Sequence, residues 1–190
     1  MTQAIVAGRG AVAALHRADL ILVHLCASSA RPLLWRRFAI SFSWLGNGLI
    51  YPALAASLVL VDGARAVHTI IAAAINLGLL HCLYPAIKRR WARARPYRAD
   101  PRLTPLLKVL DEHSFPSGHA MTLTAALVPT VLVFPEALPP SLTLWGAMAW
   151  ARLASAHHYL TDVLAGTALG LLVAYPLSQL SLARLAAVLP

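Results

Sequence analysis

Apolar residues come in runs of about 20 along most of the chain, separated by short polar or proline-containing connections. A helix of about 20 apolar residues is long enough to cross the hydrocarbon core of a bilayer. The pattern predicts five spans, over residues 40–61, 66–87, 118–138, 141–156 and 161–182. A sixth stretch, 11–27, is interrupted by His16, Arg17, Asp19 and His24. It is expected either to lie in the membrane interface or to cross with its polar face packed inward.

Composition agrees with this pattern. The 190 residues are 59% hydrophobic and 12% charged, which is too apolar for an ordinary soluble domain of this length. The predicted fold class is all-α, an integral membrane bundle of five to six transmembrane helices. Its organisation is expected to be an N-terminal helix and basic connector over residues 1–39, followed by a membrane-embedded core over residues 40–190.

The net charge of +9 is concentrated in a few connections. Lys88 and Arg95 lie in the loop that follows span 66–87, and Arg89, Arg90 and Arg93 beside them are interpreted as interfacial anchors. The loop predicts an anion site, whereas nucleic acid is a poor partner because no basic surface interleaved with aromatic residues accompanies the charge. Cys26 and Cys82 lie in apolar surroundings and are expected to be buried free thiols, with neither a disulfide framework nor a metal cluster.

A short segment, Phe115-Pro116-Ser117-Gly118-His119, lies between this basic loop and the next span. Proline is tolerated in the first turn of a helix, so a helix is expected to start here. The free N–H groups of such a start bind anions, Ser117 can add a hydroxyl, and His119 can move a proton near neutral pH. Taken alone, the segment is equally compatible with a plain helix cap.

A third polar cluster bridges the last two predicted spans. His158 and Asp162 are four residues apart, and Arg152 precedes them by six. A carboxylate beside a histidine fixes its tautomer and leaves the other ring nitrogen free to attack. Counting crossings places all three clusters on the same side of the membrane. Their convergence predicts a shared anionic ligand at headgroup depth.

Together these residues carry a family resemblance. Three groups of residues resemble the three signature motifs of the type 2 phosphatidic acid phosphatase superfamily. They are Lys88 with Arg95-Pro96, the segment Pro116 to His119, and Arg152 with His158 and Asp162. The resemblance covers roughly residues 40–182. It implies a six-helix bundle that hydrolyses a phosphate ester or anhydride without a metal or other cofactor.

The resemblance also assigns roles by position. It makes His158 the nucleophile that forms a phosphohistidine, Asp162 its orienting partner and His119 the acid that protonates the leaving oxygen. The residues that would hold the phosphate are Lys88, Arg95, Ser117, Gly118 and Arg152. One position departs from the family pattern, because Ala151 stands where the family usually has Ser. A supporting hydrogen bond is therefore expected to be missing or replaced.

The expected partners are the membrane and a lipid phosphate substrate. Polyprenyl diphosphate is the leading candidate, and phosphatidic acid, phosphatidylglycerol phosphate and lipid A phosphate are alternatives. A lipid phosphotransferase and a catalytically weak lipid-binding protein also fit the pattern. The resemblance implies a bacterial plasma-membrane protein whose site faces away from the cytoplasm. The basic connector at Arg31, Arg36 and Arg37 favours the opposite orientation, because positively charged loops usually lie on the cytoplasmic side. Oligomeric state is left open.

Overall fold

The computed structural model describes residues 2–109 and 111–188. Within these ranges the chain forms helices and a single isolated β-bridge, between Ala94 and His113. The helices are α1 (Thr2–Ser29), α2 (Leu33–Leu45), α3 (Ile50–Val61), α4 (Gly63–Trp91), α5 (Pro96–Ala99), α6 (Gly118–Val133), α7 (Leu138–Ala154) and α8 (Leu160–Val188), with a 3-10 turn at Pro135–Ala137.

The helical membrane fold expected from the sequence is confirmed. Among the described residues, α1, α4 and α8 are each long and apolar enough to cross a bilayer, and α2 with α3 makes a fourth candidate if the two form one broken span. Helix α6 is apolar but has only 16 residues. By length and composition, the described helices therefore supply three or four candidate spans, fewer than the five to six expected.

The span predicted over residues 40–61 is not one continuous helix. It stops at Leu45, resumes at Ile50, and its two halves are bent by 82°. The break contains Gly48, whose φ of +141° suits glycine and few other residues. It also contains Gly46, where an added Cβ would collide with the side chains of His119 and Met148. The two glycines therefore form a bend that lies against His119 at the start of α6.

Helix α4 extends beyond the predicted span 66–87. Its last residue is Trp91, after which Ala92 adopts the left-handed conformation with φ 45°. At its start, Asp62 accepts a hydrogen bond from the backbone N–H of Arg65 at 3.1 Å, which satisfies a free donor of the first turn. Lys88 therefore lies on the last helical turn, and Arg95 lies in an extended connection beyond it.

Helix α6 is the centre of the bundle, and it packs against α4, α7 and α8. Gly166 and Gly170 let α8 approach α6 closely, because a Cβ at either position would collide with α6 or the residue that caps it. The amide of Asn76 donates to the Ala125 carbonyl at 3.1 Å and to Ser178 Oγ at 2.9 Å. Close approach and this buried hydrogen bonding hold α4, α6 and α8 together.

One face of α1 is packed inward. Asp19 is 3% exposed and Val23 is fully buried against α7 and α8, whereas Leu15 and Leu25 on the other face are more than half exposed. Of the other polar residues that interrupt this stretch, His24 is half-buried and His16 and Arg17 are exposed. The inward packing of the second sequence alternative therefore holds for part of the polar face.

The contact of Gly170 gives a stability prediction. A Cβ at this position would lie 2.7 Å from the Met121 carbonyl oxygen and 2.9 Å from Thr124 Cβ, neither of which can swing away. Gly170→Ala is expected to destabilise the protein by about 1–3 kcal/mol through overpacking. Thermal unfolding in detergent measures the change. Gly78→Ala is the control, since nothing lies within 4 Å of its Cβ, and an equal loss in both variants would contradict this account.

Candidate active site

The three sequence clusters meet around one cavity of about 410 Å³. Five of the eight residues predicted for the site line it, namely Arg95, Gly118, His119, Arg152 and His158. Lys88, Ser117 and Asp162 lie behind the wall, and all three are at most 5% exposed. The convergence inferred from counting crossings is therefore present in the structure.

The start of α6 joins two of the clusters. Ser117 is its N-cap, and the Ser117 hydroxyl oxygen accepts from the Ala120 N–H at 3.4 Å. The Ser117 backbone N–H donates to the Asp162 carbonyl at 3.0 Å, which fixes α6 to the first turn of α8. Gly118 lies against Tyr84, because a Cβ here would lie 2.7 Å from the Tyr84 hydroxyl. A larger residue at this position would therefore displace the end of the Tyr84 side chain.

His158 and Asp162 are adjacent, but only Asp162 lies on a helix. His158 belongs to the connection between α7 and α8. Asp162, in the first turn of α8, reaches back to accept from the Tyr159 N–H at 2.9 Å, as the acidic residue of a capping box does. His158 Nδ1 lies 3.7 Å from Asp162 Oδ2, which is longer than a hydrogen bond. The carboxylate stands behind the ring and leaves Nε2 facing the cavity.

The surroundings of His158 keep the ring neutral. Burial, followed by the positive charges of Arg152 and Arg95, lowers the pKa of His158 well below its ordinary value. Arg95 Nη1 lies 3.5 Å from His158 Nε2 and can only donate, so this nitrogen carries the lone pair. The Nδ1 nitrogen then carries the proton on the side of Asp162. This tautomer presents a nucleophilic nitrogen to the cavity at neutral pH.

Lys88 and Arg95 share a carboxylate that the sequence did not single out. Asp111 forms an ion pair with Lys88, and its Oδ1 accepts from Arg95 Nη2 at 2.9 Å. Burial opposes the charge on Asp111, but these two cations outweigh it and lower its pKa below the ordinary value. An anion thus already sits on two of the predicted phosphate ligands, which shows that their geometry suits one.

Arg152 is held by a second histidine, His157, which belongs to none of the three sequence motifs. Arg152 Nη2 donates to His157 Nδ1 at 2.8 Å, and His157 Nε2 donates to the Leu107 carbonyl at 2.9 Å. Burial, followed by the charge of Arg152, lowers the pKa of His157 to about 3. The ring is therefore neutral and can accept from Arg152. Among the described residues Arg152 Nε has no hydrogen-bond partner, so the guanidinium keeps a buried donor free beside the cavity.

His119 contacts the bend between α2 and α3. Its Nε2 lies 3.0 Å from Asn47 Oδ1 and 3.2 Å from the Ser43 carbonyl. Both partners accept, so Nε2 carries the proton. The Gly46-Asn47-Gly48 sequence could have indicated a break in the apolar run, but nothing in it indicated a contact 72 residues away in the chain.

Ala151, the departure from the family pattern, does not line the cavity. It is fully buried among Ala30, which directly follows α1, Ala39 of α2 and Ala154 of α7. A small apolar residue suits this packing.

Chemically, the cavity combines an anion site with two histidines. Two arginines line it, Lys88 stands behind them, and the nucleophilic nitrogen of His158 faces the same space as His119. In the part of the chain that the structure describes, no three His, Cys, Asp or Glu side chains are grouped as metal ligands would be. Cys26 and Cys82 are free thiols, but the burial expected for them is wrong, because Cys26 is half-buried and Cys82 is exposed.

Comparisons with known proteins place this site in a family. The family model described as the PAP2 superfamily matches residues 66–185, which is more than half of the chain. A PAP2-type phosphatidylglycerolphosphate phosphatase from Bacillus subtilis is similar in structure, with a TM-score of 0.64 and 20% identity over 88% of this chain and 86% of that one. LpxE from Aquifex aeolicus gives a TM-score of 0.61 and 22% identity over 86% of this chain and 94% of that one.

Comparison with curated protein sequences gives no significant match. The two structural likenesses show the fold, and the family-model match extends over α4 to α8, which carry all eight predicted site residues. The chain therefore belongs to the PAP2 superfamily and has the fold of PAP2-type membrane phosphatases.

Proposed function

We propose that the protein hydrolyses the phosphate ester or diphosphate of a lipid through a phosphohistidine at His158, without a metal ion. One observation carries the proposal. The lone pair of His158 Nε2 faces a cavity that Arg95 and Arg152 line, with Asp162 behind the ring and His119 on another wall. An anion bound to these arginines brings its phosphorus within reach of the nucleophile.

In the first step, the substrate phosphate binds to Arg95, Arg152 and Lys88 and replaces the Asp111 carboxylate on the two shared cations. His158 Nε2 attacks phosphorus while the bond to the lipid oxygen breaks. His119, which enters this step as the imidazolium beside the bound phosphate dianion, donates a proton to that oxygen and becomes neutral. Asp162 stabilises the positive charge that develops on the imidazole. The arginines and the lysine stabilise the charge on the equatorial oxygens.

In the second step, water attacks the phosphohistidine. His119, now unprotonated, accepts a proton from the water, and the bond from phosphorus to Nε2 breaks. Inorganic phosphate leaves, and both histidines return to their starting states. The two steps together consume one water molecule for each ester cleaved.

An amphiphilic substrate fits the surroundings of the cavity. Tyr51 and Leu77 line both this cavity and a neighbouring apolar groove between α3, α4 and α6. A lipid tail can follow the groove while only the phosphate enters the polar end, so little desolvation is needed. We propose polyprenyl diphosphate as the leading substrate, with phosphatidylglycerol phosphate, phosphatidic acid and lipid A phosphate as alternatives.

Phosphate release from this panel of lipids, by pure protein in detergent with EDTA present, tests the proposal. We expect release from at least one lipid, unchanged by EDTA and inhibited by vanadate, whose trigonal-bipyramidal form resembles the transition state. Adding acceptor lipids to the same assay separates hydrolysis from phosphotransfer. If none of the lipids releases phosphate, the proposed activity is wrong and the protein is a lipid-binding protein instead.

We further propose that the protein lies in a bacterial plasma membrane and that its active site faces away from the cytoplasm. Four cations in and around the site already have carboxylate or histidine partners, namely Lys88, Arg93, Arg95 and Arg152. Their positive charge is therefore explained by the site and is no argument for placing this end of the bundle in the cytoplasm. Labelling of single cysteines placed in the loop over residues 97–109 is expected only with reagents applied from outside the cell. Labelling only from the cytoplasm would reverse this orientation.

A further inference from the structure

Arg93 lies between two buried carboxylates from different helices. Its Nη1 donates to Asp162 Oδ1 at 2.7 Å, and its Nη2 donates to Asp19 Oδ2 at 2.9 Å. Asp162 is fully buried and Asp19 is 3% exposed. The guanidinium carbon also lies 3.8 Å from the centre of the Tyr159 ring. Such a fixed, two-pronged arrangement differs from that of an interfacial anchor, so the sequence interpretation of Arg93 is wrong.

The contact divides the two oxygens of Asp162 between two tasks. Oδ1 is held by Arg93, and Oδ2 accepts the Tyr159 N–H and faces His158. A buried carboxylate stays charged only with a partner of opposite charge, and Arg93 is the cation that the structure pairs with it. Arg93 thereby fixes the rotation of the carboxylate that stands behind the nucleophile.

Asp19 in turn fixes Arg93. Its Oδ1 accepts from the Thr161 N–H at 3.1 Å, and its Oδ2 accepts from Thr161 Oγ1 at 2.5 Å, so both of its oxygens are occupied at the start of α8. Arg93 Nη1 also donates to Thr161 Oγ1 at 2.7 Å. The inward face of α1 is therefore connected to Asp162 through a single side chain. Helix α1 lies outside the segment that the family model matches.

We propose that Arg93, anchored by Asp19 of α1, is a positioning residue for the pair of Asp162 and His158. This inference rests on the proposed function. Arg93 does not line the cavity, so it acts on catalysis through Asp162 and leaves phosphate binding unchanged. The N-terminal helix, beyond its packing role, completes the support of the nucleophile.

Purified full-length variants in detergent test the proposal by the separation of kcat from KM. Arg93→Ala is expected to lower kcat by about 10- to 100-fold, as loss of a residue that orients a reactive group commonly does, with KM within about threefold. Asp19→Asn keeps the size of the side chain and should lower kcat several-fold. Arg93→Lys should recover part of the loss, since an ammonium can replace the charge but not the fork.

Arg89→Ala is the matched control, because Arg89 is an exposed residue of the same basic run. It should match the wild type in kcat and KM. Equal kcat per folded molecule in wild type, Arg93→Lys and Asp19→Asn would overturn the proposal even if Arg93→Ala failed to fold. A rise in KM without loss of kcat would also overturn it. An inactive wild type would instead overturn the proposed function, so the two failures are distinguishable.

Discussion

Replacing His158 with alanine should remove nearly all phosphate release, by about 10⁴-fold or more, because the variant lacks the nitrogen that forms the proposed covalent intermediate. A 10⁴-fold loss corresponds to about 5.5 kcal/mol of transition-state stabilisation. The arginines remain in this variant, so it should still bind vanadate, the lipid phosphate and inorganic phosphate. Initial rates together with equilibrium binding of the substrate to the variant measure both effects.

The control for this loss is His68→Ala. His68 lies on α4, 20 residues before Lys88, which places it about 30 Å away along the helix axis. Its Nδ1 bonds only to the Ala64 carbonyl of its own helix among the described residues. This variant should keep the full rate. Retention of even a tenth of the wild-type rate by His158→Ala would exclude His158 as nucleophile.

Replacing His119 with alanine should have the second-largest effect, and its size should depend on the leaving group. A lipid alkoxide is a poor leaving group and needs a proton, so the rate with a lipid monophosphate should fall by about 10²- to 10⁴-fold. An aryl phosphate such as p-nitrophenyl phosphate leaves without a proton, and its rate of phosphoryl transfer should fall far less. Parallel single-turnover assays with the two substrates measure the difference.

The bend between α2 and α3 provides a graded control for His119. Asn47→Ala removes the side-chain acceptor of His119 Nε2 but leaves the Ser43 carbonyl in place. The rate of Asn47→Ala should also fall more with the lipid monophosphate than with the aryl phosphate, but by less than the rate of His119→Ala. Losses of equal size for both substrates in His119→Ala would contradict its role as general acid.

Much of the fold could be predicted from the apolar pattern, because a helix in lipid must satisfy its backbone internally and shows this as a long apolar run. The failures have local causes. Residues 40–61 form one continuous apolar run, so their hydrophobicity does not reveal that the helix bends at Gly46 and Gly48. The rule for residues before proline holds at Arg95, which is extended, but α4 had already ended at Trp91.

The site was predictable where its residues sit at fixed spacing on the ends of helices. Lys88, His119 and Asp162 are brought together by the topology that the crossings define. The contacts of Asp111, His157 and Arg93 were not predictable, because they depend on how the connections fold back over the helix ends. Arg93, for instance, meets Asp19 and Asp162 across 74 and 69 residues of chain, and no local pattern encodes such a pairing.

The stereochemical course at phosphorus tests the central claim most directly. Hydrolysis through a phosphohistidine requires two successive in-line displacements, first by His158 Nε2 and then by water. An isotopically chiral thiophosphate monoester of the active lipid, hydrolysed in isotopically labelled water, should therefore give thiophosphate with net retention of configuration. Net inversion would show a single direct attack by water and would contradict the account of His158.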